Sequence, residues 1–138
     1  MAESAVHMGY VSLIKEYVEK VLPEIEHFHI LVDSPTSMEK PPHVFNNYVP
    51  DLYYNHREQL IIGEAKTDDD FDRPHSLDQY LSYLQECSRF SGDSVLIVSG
   101  SWRISAALSN LLRNMKKKAS LSVKVIILNE LGLFNSHM

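Results

Sequence analysis

Cysteine is nearly absent from this sequence, and so are long apolar runs. Cys87 is the single cysteine among 138 residues, which excludes an internal disulfide framework. The longest purely apolar runs span four residues each, at positions 95–98 and 125–128, whereas a membrane-spanning helix needs roughly 20 residues. The acidic start of the chain lacks the basic and apolar regions of a secretion signal. We therefore expect a soluble, cytoplasmic protein in a reducing setting.

Positive charge is also in short supply. The chain has 13 Lys and Arg residues against 18 Asp and Glu residues, for a formal net charge of -5. Because affinity for phosphate backbones comes largely from Lys and Arg, this balance argues mildly against nucleic-acid binding. It does not exclude such binding, since Arg113, Lys116, Lys117 and Lys118 could gather on one surface.

Apolar periodicity divides the chain into the helices and strands of one domain over residues 1–138. Helical spacing predicts three helices, at residues 4–22, 75–90 and 102–118. Apolar and β-branched runs predict five strands, at residues 27–33, 44–54, 59–67, 95–99 and 123–128. The order α-β-β-β-α-β-α-β predicts an α/β fold, with a mixed central sheet flanked by helices on both faces.

Ionisable residues lie within two of the predicted strands. Asp51 belongs to the second strand, and Glu64 and Lys66 belong to the third. Because strand side chains alternate with period two, Glu64 and Lys66 point to the same face of the sheet. A four-residue loop at positions 55–58 would place Asp51 opposite Ile62, on that face. Asp51 and Glu64 would then be diagonal cross-strand neighbours, with Cβ atoms about 7 to 8 Å apart.

Two carboxylates at this spacing could close around one metal ion. Asp51 and Glu64 supply hard oxygen ligands that suit Mg²⁺ or Mn²⁺, and the Ala65 carbonyl oxygen could be a third ligand. Such an ion lowers the pKa of a bound water and neutralises charge on a phosphate. Lys66 could orient the attacking water or stabilise the negative transition state. The pattern therefore favours phosphodiester hydrolysis.

Each part of the pattern also has an ordinary structural interpretation. Pro50-Asp51 is typical of a turn or strand entry, and Glu64-Ala65-Lys66 is typical of a solvated strand end. The combination is more specific, because three charged groups on one face beside apolar neighbours are costly to bury without a compensating ion.

The combined motif resembles that of the PD-(D/E)xK nuclease superfamily, which is defined by Pro-Asp, a variable gap, and then Asp or Glu, any residue, and Lys. Gln79 and Tyr83, four residues apart on the next predicted helix, resemble the Gln-x-x-x-Tyr element of its RecB-like members. Many members, including Holliday-junction resolvases, carry another Glu on the opening helix. His7 holds the comparable place here, Glu3 is a substitute one turn earlier, and Glu16 faces away.

The resemblance implies a restriction-endonuclease-like fold and a metal-dependent nuclease, with DNA a more suitable substrate than RNA. Asp51, Glu64 and Ala65 would bind the metal, Lys66 would activate water, and Gln79, Tyr83 and His7 would complete the site. A homodimer or a partner protein could gather the positive charge that one chain lacks. The alternative is a non-catalytic nuclease-like module that binds nucleic acid or a protein partner.

Two further patterns have functional and structural interpretations. Ser99-Gly100-Ser101, ahead of the third helix, could hold a phosphate on free backbone amides, although a simple cap by Ser101 is the more typical arrangement. His27 and His29 would share one strand face as a zinc pair, but no nearby motif supplies the remaining ligands.

Overall fold

The computed structural model describes residues 4–138, and within that range it contains three α-helices and six β-strands. The helices are α1 (Ala5–Lys20), α2 (Pro74–Arg89) and α3 (Trp102–Ala119). The strands are β1 (Leu31–Val32), β2 (Leu52–His56), β3 (Gln59–Ala65), β4 (Asp93–Ser99), β5 (Lys124–Asn129) and β6 (Gly132–His137). No helix among these residues is long and apolar enough to cross a bilayer.

All six strands form one mixed sheet in the order β1-β2-β3-β4-β5-β6. The central strands β3, β4 and β5 are parallel, because α2 and α3 carry the chain back between them. The outer pairs β1-β2, β2-β3 and β5-β6 are antiparallel. The predicted α/β class with a mixed sheet is therefore confirmed.

Helices cover both faces of this sheet. On one face α1 packs Val11, Ile14 and Val18 against the sheet, and on the other face α2 and α3 build a second buried cluster. Gly63 permits the close approach of α1, since a Cβ there would lie 2.9 Å from Ile14 Cγ2. The alternation along β3 thus sends odd-numbered residues toward α1 and even-numbered residues toward α2 and α3.

The strand boundaries before the site differ from the predicted ones. The predicted strand at residues 27–33 is mostly a 3₁₀ turn at His27–His29, and only Leu31–Val32 is extended. The predicted strand at residues 44–54 begins with another 3₁₀ turn at Phe45–Asn47 and becomes β2 only at Leu52. Apolar composition favoured strands in both places, but tertiary contacts decide these short segments.

The chain also contains a strand that the sequence analysis missed. β6 pairs antiparallel with β5 at the sheet edge, and its Leu133 and Phe134 are exposed. Asn and Ser at positions 135 and 136 interrupt its apolar character. A short, partly polar edge strand of this kind gives a weak periodic signal.

Candidate active site

Asp51, Glu64 and Lys66 meet at the end of the β2–β3 hairpin away from its turn. Asp51 immediately precedes β2, Glu64 is the penultimate residue of β3, and Lys66 directly follows β3. All three are buried, with relative exposures of 5%, 4% and 4%. Because charged groups are costly to remove from water, three of them buried together require compensation.

The pairing of β2 with β3 brings Asp51 closer to Glu64 than the predicted register would. Leu52 pairs with Gly63 and His56 with Gln59, so the turn is only two residues, Arg57 and Glu58. Both have positive φ, at 51° and 61°, as a type I′ hairpin turn requires. The predicted four-residue loop was wrong, but the register changed by two residues, which keeps every side chain on its expected face.

If the observed register is extended by one residue, Asp51 lies opposite Glu64. The Asp51 side chain reaches Ala65, the next residue of β3. Asp51 Oδ2 accepts a hydrogen bond of 2.9 Å from the backbone N–H of Ala65. The backbone pairing of β2 with β3 starts only at Leu52 and Gly63, so the Asp51 side chain takes the place of a strand partner for the Ala65 N–H. This hydrogen bond fixes one metal-ligand candidate against the strand that carries the other.

Glu64 is the least compensated group of the site. Its Oε2 lies 3.5 Å from Lys66 Nζ, while its buried Oε1 has no hydrogen-bond partner within residues 4–138. Burial and then the charge of Asp51 raise the pKa of Glu64 to about 8, against the opposing effect of Lys66. A buried carboxylate oxygen beside a second carboxylate is a suitable ligand for a hard cation.

Lys66 is held from the helix side by Gln79. Its ammonium donates a hydrogen bond to Gln79 Oε1, and it lies 5.8 Å from the centre of the Tyr80 ring. Both partners belong to α2, so the sheet and this helix fix the ammonium together. The predicted proximity of Gln79 to the charged residues is what the structure shows.

Tyr83 also faces the site from α2. Its buried hydroxyl faces the Glu64 carboxylate and interacts with it. Burial and the nearby Glu64 charge raise the pKa of the Tyr83 hydroxyl. Tyr83 therefore stays protonated and can donate a hydrogen bond toward the carboxylates.

His7 comes to the site from the opposite face of the sheet. Ser4 caps α1 by accepting a 3.1 Å hydrogen bond from the His7 backbone N–H, which places His7 in the first turn. His7 Nε2 lies 3.2 Å from Asp51 Oδ2. Glu16 is exposed, as the sequence predicted, and it pairs with Lys20 at 3.2 Å, whereas Glu3 lies outside the described residues.

A row of side chains on α2 holds the segment that leads to Asp51, and the sequence analysis did not identify it. Three residues at four-residue spacing on α2 each accept a hydrogen bond from the segment Phe45–Tyr48. The pairs are Glu86 with the Phe45 backbone N–H at 2.9 Å, Ser82 with Asn46 Nδ2 at 2.9 Å, and Asp78 with the Tyr48 hydroxyl. The polar residues at i, i+4 and i+8 were the available signal. We refer to these three pairs as the α2 zipper.

The basic residues near the end of α3 are not part of this site. Lys116 is buried, at 3% exposure, and donates to the Val123 carbonyl oxygen at 2.7 Å. The end of α3 lies near the start of β5, whereas the candidate site lies at the end of the parallel strand β3. Of the four residues that could have formed a basic surface, Arg113, Lys117 and Lys118 are exposed, and they lie toward the end of α3 that is remote from the site.

The loop before α3 supports neither of its two predicted interpretations. Ser101 makes no capping hydrogen bond and instead donates to Asp68 Oδ1 at 2.6 Å. Glu130 Oε1 accepts from the Trp102 backbone N–H at 2.5 Å, so a carboxylate caps this helix. The capping group comes from 28 positions along the chain, which no local pattern could show.

His27 and His29 do not share the strand face on which a zinc pair would have depended. His27 and His29 lie in a 3₁₀ turn, where His27 Nε2 contacts the Glu19 carbonyl oxygen at 3.2 Å and the His29 ring stacks on His56. The two rings are thus engaged by different partners. Throughout residues 4–138, no group of three or more His, Cys, Asp and Glu side chains is arranged to hold a metal ion.

Comparison of the chain with protein-family models, curated proteins and solved structures found no match. The functional interpretation therefore depends on the site geometry and the motif alone.

Proposed function

We propose that this chain is a metal-dependent nuclease of the PD-(D/E)xK type, with a restriction-endonuclease-like fold, that hydrolyses DNA phosphodiester bonds. The observation that supports this most strongly is the convergence of Asp51, Glu64 and Lys66 in one buried group. Their chemistry suits a negatively charged substrate and a divalent cation.

The donor set fits Mg²⁺ or Mn²⁺. Asp51 and Glu64 would hold the ion through carboxylate oxygens, including the otherwise unpartnered Glu64 Oε1. The Ala65 carbonyl is a third candidate, since the N–H and C=O of a strand residue point to the same side and the Ala65 N–H points to Asp51. Only two carboxylates are needed, because Mg²⁺ usually retains several waters. When bound, the ion lowers the pKa of a water and neutralises phosphate charge.

Lys66 has the central role among the side chains that contact the substrate. Of the three ammonium donors, one is taken by Gln79 and another faces Glu64. The remaining donor can orient the attacking water or stabilise charge on a phosphate oxygen as the P–O bond breaks. Gln79 therefore acts as a positioning residue for Lys66.

His7 and Tyr83 complete the site as positioning residues. His7 contacts Asp51 at 3.2 Å and fixes that carboxylate from the α1 side. Tyr83 faces Glu64 from the α2 side and remains a hydrogen-bond donor. The two carboxylates are thus restrained from both faces of the sheet.

Cleavage assays on a substrate panel test this proposal. We expect cleavage of linear, circular, branched or single-stranded DNA in Mg²⁺ or Mn²⁺, and loss of at least about 100-fold in kcat for Asp51→Asn and for Lys66→Ala. Lys15→Ala, at an exposed i, i+4 pair on α1, is the matched control and should retain activity. RNA substrates in the same panel define the preference between nucleic acids.

Cleavage that survives either site substitution would overturn the proposal. Binding of DNA without cleavage by the unmodified protein would instead support the non-catalytic module. That second function has one observation in its favour, since no third acidic or histidine side chain joins Asp51 and Glu64 in a metal-binding group within residues 4–138.

A further inference from the structure

α2 carries three side chains along one line toward the candidate site. His75, Gln79 and Tyr83 are at i, i+4 and i+8, so they share a face of the helix. Gln79 contacts Lys66, and Tyr83 interacts with Glu64. His75 is the member of this line nearest the helix start, one turn beyond Gln79, and it is exposed. The line therefore runs from the buried carboxylates to solvent and ends at His75.

In the described part of the chain, the fold orients the His75 ring through an aromatic contact but makes no hydrogen bond to its nitrogen atoms. The Tyr48 ring meets it edge to face at 5.5 Å between centroids, and within residues 4–138 neither ring nitrogen of His75 has a hydrogen-bond partner. Tyr48 is itself fixed, because its hydroxyl donates to Asp78 and its ring also packs edge to face on Tyr83 at 6.4 Å. His75 thus presents unused polar atoms at a fixed place beside the site.

A nucleic-acid strand offers these nitrogens a partner. When one phosphate lies at Lys66, the strand must leave the site toward solvent, and its adjacent phosphates lie a few ångströms away. The imidazole can donate a hydrogen bond to a phosphate oxygen in either protonation state, since each state has at least one N–H.

We propose that His75 binds a phosphate of the DNA strand next to the phosphate that is cleaved, and so sets where along the strand the cut falls. This inference rests on the proposed nuclease function. His75 is not assigned a part in the chemical step itself, because Lys66 and the carboxylates lie farther along the line.

The test replaces single phosphates as well as His75. A set of otherwise identical DNA substrates carries one uncharged methylphosphonate, moved stepwise through the positions flanking the cut. For the unmodified protein we expect one flanking position at which the replacement raises KM or Kd by about tenfold, the effect of losing one hydrogen bond to a charged group. His75→Ala should raise KM by a similar factor on the normal substrate, with little change in kcat.

The decisive result is non-additivity. His75→Ala should be insensitive to methylphosphonate at that one position and should match the unmodified protein at every other position, and His75→Arg should restore affinity for the normal strand. His43→Ala is the matched control, because His43 is an exposed loop histidine bonded to the Asn47 carbonyl oxygen, and it should behave as the unmodified protein.

The outcomes separate the two proposals. If the protein cleaves DNA in an Asp51-dependent manner but His75→Ala shows unchanged KM and the same methylphosphonate profile, the His75 assignment is wrong and the nuclease proposal stands. If the protein binds without cleaving, the same profile measured by Kd still decides the role of His75. If it neither binds nor cleaves any nucleic acid in the panel, both proposals are overturned.

Discussion

The Glu64 side chain destabilises the folded protein, and the same environment makes its carboxylate a candidate ligand for a cation. Its carboxylate is buried beside Asp51, and one of its oxygens has no hydrogen-bond partner in the described chain. A hydrophobic residue there would fold at lower cost, because a buried charge loses its hydration. The unfavourable environment is relieved by a proton or by a cation.

Glu64 should make the metal-free protein less stable as pH rises. Its pKa is about 8 in the folded protein and near 4.5 when unfolded, so between these values the folded state holds more protons. The free energy of unfolding should therefore fall from about pH 5 to about pH 8, at about 1.4 kcal/mol per pH unit at most. Glu64→Gln should remove this dependence and be more stable than the unmodified protein at about pH 8. Denaturant unfolding in the presence of a chelator measures it.

Glu16→Gln provides the control, since Glu16 is an exposed carboxylate on α1. Parallel stability curves for the unmodified protein and Glu64→Gln across this pH range would show that Glu64 does not carry the proton. Addition of Mg²⁺ should stabilise the unmodified protein more at high pH than at low pH, because the ion replaces the proton.

The sequence predicted those features of the site that depend only on the alternation of side chains along a strand. Glu64 and Lys66 share a face in any regular strand, and a two-residue error in the hairpin register left Asp51 on that face. His7 could be located because helix periodicity fixed its side of α1. The role of Tyr48 could not be predicted, because its contacts lie 27 to 35 positions away along the chain.

At the scale of elements, the α2 zipper connects α2, whose Gln79 contacts Lys66, to the segment that leads to Asp51. We expect Ser82→Ala to remove the acceptor of Asn46 and to cost about 1 kcal/mol of unfolding free energy. Because the loosened segment leads directly to Asp51, kcat should fall several-fold in addition, and more divalent cation should be needed for half-maximal activity. Denaturant unfolding and a Mg²⁺ titration of the cleavage rate measure the two effects.

Ser12→Ala is a closely matched control for this substitution. Both serines donate to the carbonyl oxygen four residues earlier in their helices, but Ser12 is exposed and Ser82 also accepts from Asn46. Loss of stability without any change in the Mg²⁺ requirement would restrict the zipper to a structural role.

Long periodic elements were predictable, and short irregular ones were not. The three helices and the strands β4 and β5 begin and end within a few residues of the predicted bounds, because each buries a continuous apolar stripe. The hairpin turn was misplaced because Arg57 and Glu58 adopt positive φ without glycine or asparagine. The segment before β2 was misassigned because its hydrogen bonds go to α2 side chains rather than to a strand.

At the scale of the whole molecule, acidic and basic groups are unevenly placed relative to the candidate site. Asp68, Asp69, Asp70 and Asp72 follow β3 at the site end, and Lys117 and Lys118 lie near the end of α3. α3 is 18 residues long, so its ends are separated by about 27 Å. The positive side chains at the site end of the sheet are Lys66, Arg73 just before α2 and Arg103 in the first turn of α3, rather than the lysines at the other end of α3.

This distribution predicts that the lysines of α3 are dispensable for cleavage by a single chain. The double substitution Lys117→Ala and Lys118→Ala should leave kcat and KM within about twofold, because both side chains lie beyond a Debye length of about 8 Å from the site at physiological ionic strength. The logarithm of the DNA affinity should vary only weakly with that of salt concentration, since few phosphates are neutralised by lysine or arginine. Cleavage kinetics and binding measured over a salt series check both expectations. A steep salt dependence that the double substitution abolishes would mean that the DNA path extends along α3, or that a second copy of the chain brings these lysines to the cut.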